Sequence, residues 1–289
     1  MADDITLSGA TRTNLLSLQR TTDLIDRTQN RLSTGLEVNS AIDDALSFFQ
    51  ARNLNSRASD LSTIKDGISE GIQVLTAATE AIESVEEILQ QAKAIATSAR
   101  STSAADTSTR QKLASQFNEL RSQIDHLVND ASYNGTNLIK SGADTLTVKF
   151  SESTTASERR LVVEGDAVDA SALNISSQTV GTGATTASAW THSGTYISTI
   201  DNAINDLDSA LTTVRDTAQT FGTNASLLEI RRDFTENLIN TLETGAADLV
   251  NADLNEESAN LLSLQTRQQL GTISLSIAQQ SEQAVLRLF

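Results

Sequence analysis

Cysteine and proline are both absent from this chain of 289 residues. Without cysteine there is no disulfide, no thiol nucleophile and no thiolate metal site. Proline averages about 5% in proteins, and its absence suits long, unbroken helices. Aromatic residues are only 3%, and the two histidines, His126 and His192, are too few for a multi-histidine metal centre. Cations are scarce too: 21 Lys and Arg against 37 Asp and Glu leave a formal charge of −16. That balance argues against nucleic acid, because neutralising phosphates takes a basic face. No apolar run approaches the roughly 18–20 residues of a membrane span, so no membrane insertion is expected. The stretch from Met1 to Leu7 lacks a basic segment followed by an apolar core. A cleaved signal peptide is therefore not expected, and export by a dedicated signal-less machinery stays open.

The chain is rich in helical periodicity. Leu15, Leu18, Ile25 and Leu32 share a 3-4 spacing with Thr22 and Gln29 in the remaining slots, a heptad seam diluted by polar residues. Gly35 punctuates it, and Asn39-Ser40 offers an N-cap for the next helix. That second helix is expected from about Asp43 to Ser98, carrying Leu61, Ile64, Ile68, Leu75, Ile82, Val85 and Leu89. A polar turn covers Thr102 to Ser108, and helix resumes with Leu113, Phe117, Leu120, Ile124 and Leu127 until Tyr133-Asn134-Gly135. The period then changes. Leu146, Val148 and Phe150 alternate with polar residues, as do Leu161 and Val163, which predicts a β-hairpin. From Ser176 to Thr195 the chain is mostly Ser, Thr, Gly and Ala and predicts an exposed segment. Helix returns from Tyr196, with a break expected at Gly245. The last segment carries Leu261, Leu264, Gln268, Gly271, Leu275, Ala278, Glu282, Val285 and Phe289 on one stripe. A second stripe holds Leu262, Thr266, Ile273, Ile277, Ala284 and Leu288.

The fold class implied is mainly α: a long antiparallel helical bundle or coiled coil with a small β-hairpin and paired ends. Three parts are expected: residues 1–40 with 250–289 as a discontinuous terminal coiled coil, 41–175 with 196–249 as a long-helix bundle, and 176–195 as a short surface segment. An isolated pair of terminal helices is marginal, since ordering costs on the order of 1–2 kcal/mol per residue. A helix that is apolar on two faces also needs more than one partner helix. Copies of the chain covering one another would meet that need.

Arg31-Leu32-Ser33-Thr34-Gly35-Leu36-Glu37-Val38-Asn39-Ser40-Ala41-Ile42-Asp43-Asp44-Ala45 resembles the N-terminal signature of bacterial flagellin. Tyr133-Asn134-Gly135-Thr136 resembles that family's turn before its hairpin. Leu261-Leu262-Ser263-Leu264-Gln265-Thr266-Arg267-Gln268-Gln269-Leu270-Gly271 and Val285-Leu286-Arg287-Leu288-Phe289 resemble its C-terminus. The resemblance spans both ends and excludes the Ser/Thr-rich middle. It implies a structural subunit of the flagellar filament, with no enzyme activity and no cofactor, and with the large outer domains of many flagellins reduced to a stub. The implied partners are further copies in a helical polymer, the flagellar type III export apparatus, a secretion chaperone and the filament cap. The implied location is outside the cell, on the flagellum. The residues assigned to contacts between subunits are Leu15, Leu18, Ile25, Leu32, Leu261, Leu264, Leu275, Ile277, Val285, Leu288 and Phe289. The family's Toll-like receptor patch falls on Gln90, Gln91, Ile95 and Gln123. There Gln91 and Gln123 stand where the family has an Arg and a Glu, so charge-assisted bonds are lost and weak receptor activation is expected.

Other motifs favour plain readings. Asp43-Asp44 could pair on a metal, but carboxylates at a helix start complement its dipole. Glu80, Glu83, Glu86 and Glu87 read as a solvated face rather than a Ca²⁺ site. His126 reads as a solvated side chain near a helix end, and no His-Glu-x-x-His motif of a zinc protease is present. Asn134, Asn174 and Asn224 begin glycosylation-type triplets, a weak signal outside that export route. Thr182, Thr185, Thr186, Ser188 and Thr191 are candidates for O-glycosylation. The alternatives are a hook–filament junction protein and a soluble coiled-coil adaptor, and sedimentation separates the adaptor from a polymerising subunit.

Overall fold

The computed structural model describes residues 9–152, 159–179, 190–191 and 195–286. In chain order the elements are α1 (Gly9–Thr34), α2 (Ala45–Ser101), α3 (Thr107–Asp130), β1 (Thr145–Lys149), β2 (Arg160–Glu164), α4 (Tyr196–Val250) and α5 (Leu254–Leu286). The chain divides into two compact units. One comprises Met1–Ala58 with Asn240–Phe289, the other Ser59–Ile239. The terminal unit is thus wider than residues 1–40 and 250–289, because the start of α2 and the end of α4 belong to it.

In the larger unit the core follows the sequence stripes. Ile68, Leu75, Ile82, Val85 and Leu89 of α2 are buried with Phe117, Ile124 and Val128 of α3. Ile200, Ala203, Leu207, Ala210, Val214 and Phe221 of α4 complete it at a 3-4 spacing. Three ion pairs cross from α2 to α4: Glu86 with Arg215, Lys93 with Asp208, and Arg100 with Asp201. Each step is seven residues along both helices, in opposite directions, as antiparallel heptads require. These pairs lie at the surface, so they select the antiparallel register more than they stabilise it.

The hairpin forms as the alternation predicts. β1 and β2 pair antiparallel, Leu146 opposite Val163 and Val148 opposite Leu161, which sets Val148 and Val163 into the core. Phe150 lies just past β1 and receives Arg231 over its ring at 5.1 Å. The Tyr133–Thr136 turn has Asn134 and Gly135 at φ 48° and 83°, a left-handed pair that Asn-Gly adopts readily. Asn137 is almost fully buried just beyond it. Its amide donates to the Val128 carbonyl (2.7 Å), and its Oδ1 accepts from Ile139 N (2.9 Å), which seals the end of α3.

Three sequence expectations need correction. α4 does not break at Gly245; it runs on to Val250. One Gly costs a helix only about 1 kcal/mol, and buried Leu242 and Ala246 on either side hold the turn. The N-cap of α2 is not Asn39-Ser40. Asp44 caps it, its Oδ1 accepting from Leu46 N (2.9 Å) and Ser47 N (3.3 Å). Finally, residues 176–195 are not uniformly exposed. Gln178 is buried and Trp190 is fully buried against Phe117, ring centroids 5.2 Å apart.

Candidate functional site

The feature that chemistry must explain is the antiparallel pair α1 and α5 in the terminal unit. Leu18 Cδ1 fills the place of a missing side chain at Gly271, 3.0 Å from where a Cβ would stand. Arg31 Nη1 meets Glu257 Oε1 at 2.6 Å. These two contacts fix the level of one helix against the other. On that register Ile25 stands level with Leu264, Thr28 with Leu261, Thr21 with Gln268, Asn14 with Leu275 and Thr11 with Ala278. All of these are buried or half-buried. Leu18, Ile25 and Leu32 therefore do line the seam, but Thr21 and Thr28 fill the slots that the sequence reading gives to Thr22 and Gln29, which are exposed. In three of these six layers a large side chain on one helix meets a small or polar one on the other, and only Ile25–Leu264 sets two large apolar side chains together. The pair is close but poorly supplied with apolar surface.

Below the seam the chain is tied by its backbone. Gly35, at φ 73°, ends α1. Leu36 bridges Asn251, Glu37 N donates to the Val250 carbonyl (2.7 Å), and Ala252 N donates to the Gly35 carbonyl (2.9 Å). Arg31 lies in the last turn of α1 and Glu257 in the first turn of α5. Each charge also faces the favourable end of its own helix dipole. Asp253 caps α5 through Asn255 N (2.8 Å) and Glu256 N (3.3 Å).

Asp43 and Asp44 act as turn and cap. The Ser40 hydroxyl, together with Ser40 N, holds the Asp43 carboxyl below the usual carboxylate range. The Ser47 hydroxyl, with Ser47 N and Leu46 N, does the same to Asp44. Each carboxylate is spent on local donors. Among the described residues no three His, Asp or Glu side chains group as metal ligands.

Apolar surface remains on the outer sides. On α5, Leu262, Leu270, Ile273 and Ile277 are 67%, 61%, 56% and 59% exposed. Ile42, Leu46 and Phe49 are exposed in the same unit, as are Leu15 and Leu16. Of the residues assigned to contacts between subunits, Leu18, Ile25, Leu32, Leu261, Leu264 and Leu275 face the seam within the chain. Leu15 and Ile277 point away from it. The side chains of Val285, Leu288 and Phe289 lie outside the described residues, as do Thr182, Thr185, Thr186 and Ser188; Thr191 is half-buried.

In the other unit, Gln90, Gln91 and Gln123 are exposed, and Ile95 packs partly against the core. Gln90 donates to Glu86 Oε1 (3.2 Å), the oxygen that also accepts from Arg215. Spacing did not reveal a polar ladder on α3. Asn118 and Gln178 exchange two bonds of 2.7 Å, Arg121 Nε donates to the Ile175 carbonyl (2.8 Å), and Asp125 Oδ1 accepts from Ala170 N (2.9 Å). Nearer the start of α3, Arg110 is fully buried. Its guanidinium donates to the carbonyls of Trp190 (2.9 Å), Ala104 (3.1 Å) and Ser103, and it lies 4.2 Å over the Tyr196 ring.

Two family models cover most of this architecture. The bacterial flagellin N-terminal helical region matches residues 6–145, and the bacterial flagellin C-terminal helical region matches residues 198–289. The chain belongs to the bacterial flagellin family. Flagellin FljM of Caulobacter vibrioides is 32% identical over 277 residues, 95% of this chain and 94% of its own. Flagellin of Brucella melitensis is 30% identical over 289 residues, 100% of this chain and 99% of its own. The crystal structure of Bacillus cereus flagellin is 19% identical, with a TM-score of 0.46, and covers 58% of this chain and 88% of that one. The N-terminal match runs through α1, α2 and α3 to the first residue of β1, and the C-terminal match takes in nearly all of α4 and the whole of α5.

Proposed function

We propose that this flagellin builds the flagellar filament by setting the outer apolar faces of α1 and α5 against neighbouring copies. The chain is a structural filament subunit and works outside the cell. The observation that carries the assembly reading is the stripe Leu262, Leu270, Ile273 and Ile277, more than half exposed on a helix whose opposite face is already occupied by α1. Covering such side chains returns on the order of 1 kcal/mol each, and a repeating polymer covers them in every copy. The relatives named above are flagellins, which favours this reading over a hook–filament junction protein or an adaptor. The Asp43 and Asp44 carboxylates serve as turn and cap, which fits a structural role.

Finer points come from the family. The subunit leaves by the type III export apparatus, aided by a chaperone and capped during growth. The zero cysteine and proline content is compatible with that route. Gln91 and Gln123 in place of charged residues support weak activation of the innate receptor. The test of the main reading is seeded polymerisation followed by electron microscopy. Wild-type protein is expected to extend seeds into filaments. Leu262→Ser with Ile273→Ser and Ile277→Ser is expected to remain a folded small species that does not extend them. Extension at the wild-type rate by that variant overturns the assignment of this face.

A further inference from the structure

The α1–α5 seam does not specify its own register. Sliding α5 by one heptad, about 10 Å, sets Leu264 beside Leu32, Gln268 beside Thr28 and Gly271 beside Ile25. Sliding it the other way sets Leu264 beside Leu18 and Leu261 beside Thr21. Both slipped seams keep a large apolar layer comparable to the observed Ile25–Leu264 layer. The apolar pattern, thinned by Thr, Asn and Gln, therefore leaves near-degenerate pairings.

Beside the Leu18–Gly271 packing and the backbone ties at the base, one charged contact separates them. Glu257 is only 7% exposed and meets Arg31 Nη1 at 2.6 Å. Arg31 also reaches Glu37 at 3.5 Å, across the turn that leaves α1. A slip in one direction places Glu257 against Ile25; the other carries it beyond the end of α1. Either way a nearly buried carboxylate loses its cation, which is strongly unfavourable. A contact of this kind penalises wrong pairings far more than it rewards the right one.

We propose that Arg31 and Glu257 are positioning residues that set the register of the terminal helices, and that filament growth depends on this setting. The proposal rests on the filament reading, because growth requires each copy to present the same outer face. The backbone ties at Leu36–Asn251 and Val250 close the base of the pair, but they read no side chain.

The native chain has no cysteine, so pairs introduced into the full-length protein report register cleanly. Thr21→Cys with Gln268→Cys reports the observed register. Thr21→Cys with Leu261→Cys, or with Leu275→Cys, reports a slip by one heptad either way. With Arg31 and Glu257 intact, oxidation is expected to cross-link only the first pair. Glu257→Lys is expected to cut that cross-link at least about fivefold and to raise a slipped one. Arg31→Glu combined with Glu257→Arg is expected to restore the first cross-link. That swapped chain should still melt below wild type, since each charge then opposes its helix dipole. If Glu257→Lys loses its helical circular dichroism, Glu257→Gln carries the same comparison. Equal cross-linking of the first pair in every background, or no restoration on swapping, overturns the proposal. The reduced Thr21→Cys, Gln268→Cys chain is also seeded. Failure of that chain and of wild type to form filaments rejects the filament reading, while the cross-linking pattern still judges the register.

Discussion

Asp43 and Asp44 show how much a single side chain can carry in a chain with so few special residues. Their carboxyls are held low by serine hydroxyls and backbone N–H groups that prefer the ionised form. A folded-state value below the unfolded one means the stabilisation is complete above about pH 4 and fades as pH falls through the native values. Asp106, held low chiefly by the Thr109 hydroxyl, and Asp144, chiefly by Asn137 N, behave alike. Asp44→Asn is therefore expected to lower the melting temperature at pH 7. The gap to wild type should narrow below pH 4, which melts across that range will show. Arg110 is a second case. Removing its guanidinium leaves three carbonyls and an aromatic face without their donor. Arg110→Ala is expected to cost on the order of 3 kcal/mol and to shift the emission of Trp190, the sole tryptophan, to the red. An unchanged denaturation midpoint and spectrum would count against the role given to this cation.

At the level of helices and strands, most of the fold was legible because the stripes are long. Three-and-four spacing located α2 and α3 to within a few residues, and the alternation at Leu146–Val148 and Leu161–Val163 gave the hairpin, but the junction of α4 and α5 was misplaced at Gly245, where α4 runs on to Val250. What spacing could not say is which of two adjacent polar slots faces inward, as with Thr21 and Thr28 against Thr22 and Gln29. A heptad with apolar residues at only one of its two core positions is satisfied by either neighbour. The Asn118–Arg121–Asp125 ladder was hidden because hydrogen bonds to backbone need no sequence pattern in their partners. Glycines test the packing directly. A Cβ at Gly71 would stand 2.7 Å from Val148 Cγ2 and 3.3 Å from Leu228 Cδ1, whereas one at Gly67 would meet nothing within 4 Å. Gly67→Ala is expected to stabilise α2 by about 0.5–1 kcal/mol. Gly71→Ala gains the same helix propensity but loses about 1–3 kcal/mol to overpacking, so it should be neutral to destabilising. Chemical denaturation of the two variants decides.

For the molecule as a whole, the terminal unit is the weakly supplied part and the larger unit holds the dense core. Amide exchange on the dispersed protein is therefore expected to be fast through α1 and α5 and slow around Ile82, Val85 and Leu89 of α2 and Val214 of α4. In filaments, protection of α1 and α5 should rise towards that of the core. Equal protection in both states would show that assembly adds nothing to those helices. Purified monomer should activate the innate receptor poorly, and Gln91→Arg with Gln123→Glu should raise the signal in a reporter assay. The anchoring of Gln178 and Trp190 on α3 has a practical consequence. Gln178 is clamped by Asn118 on one side, and Trp190 is locked over Phe117 and Arg110 on the other. A passenger peptide spliced between residues 180 and 189 leaves both fasteners untouched. Each copy in a polymer could then carry such cargo without the scaffold having to be rebuilt.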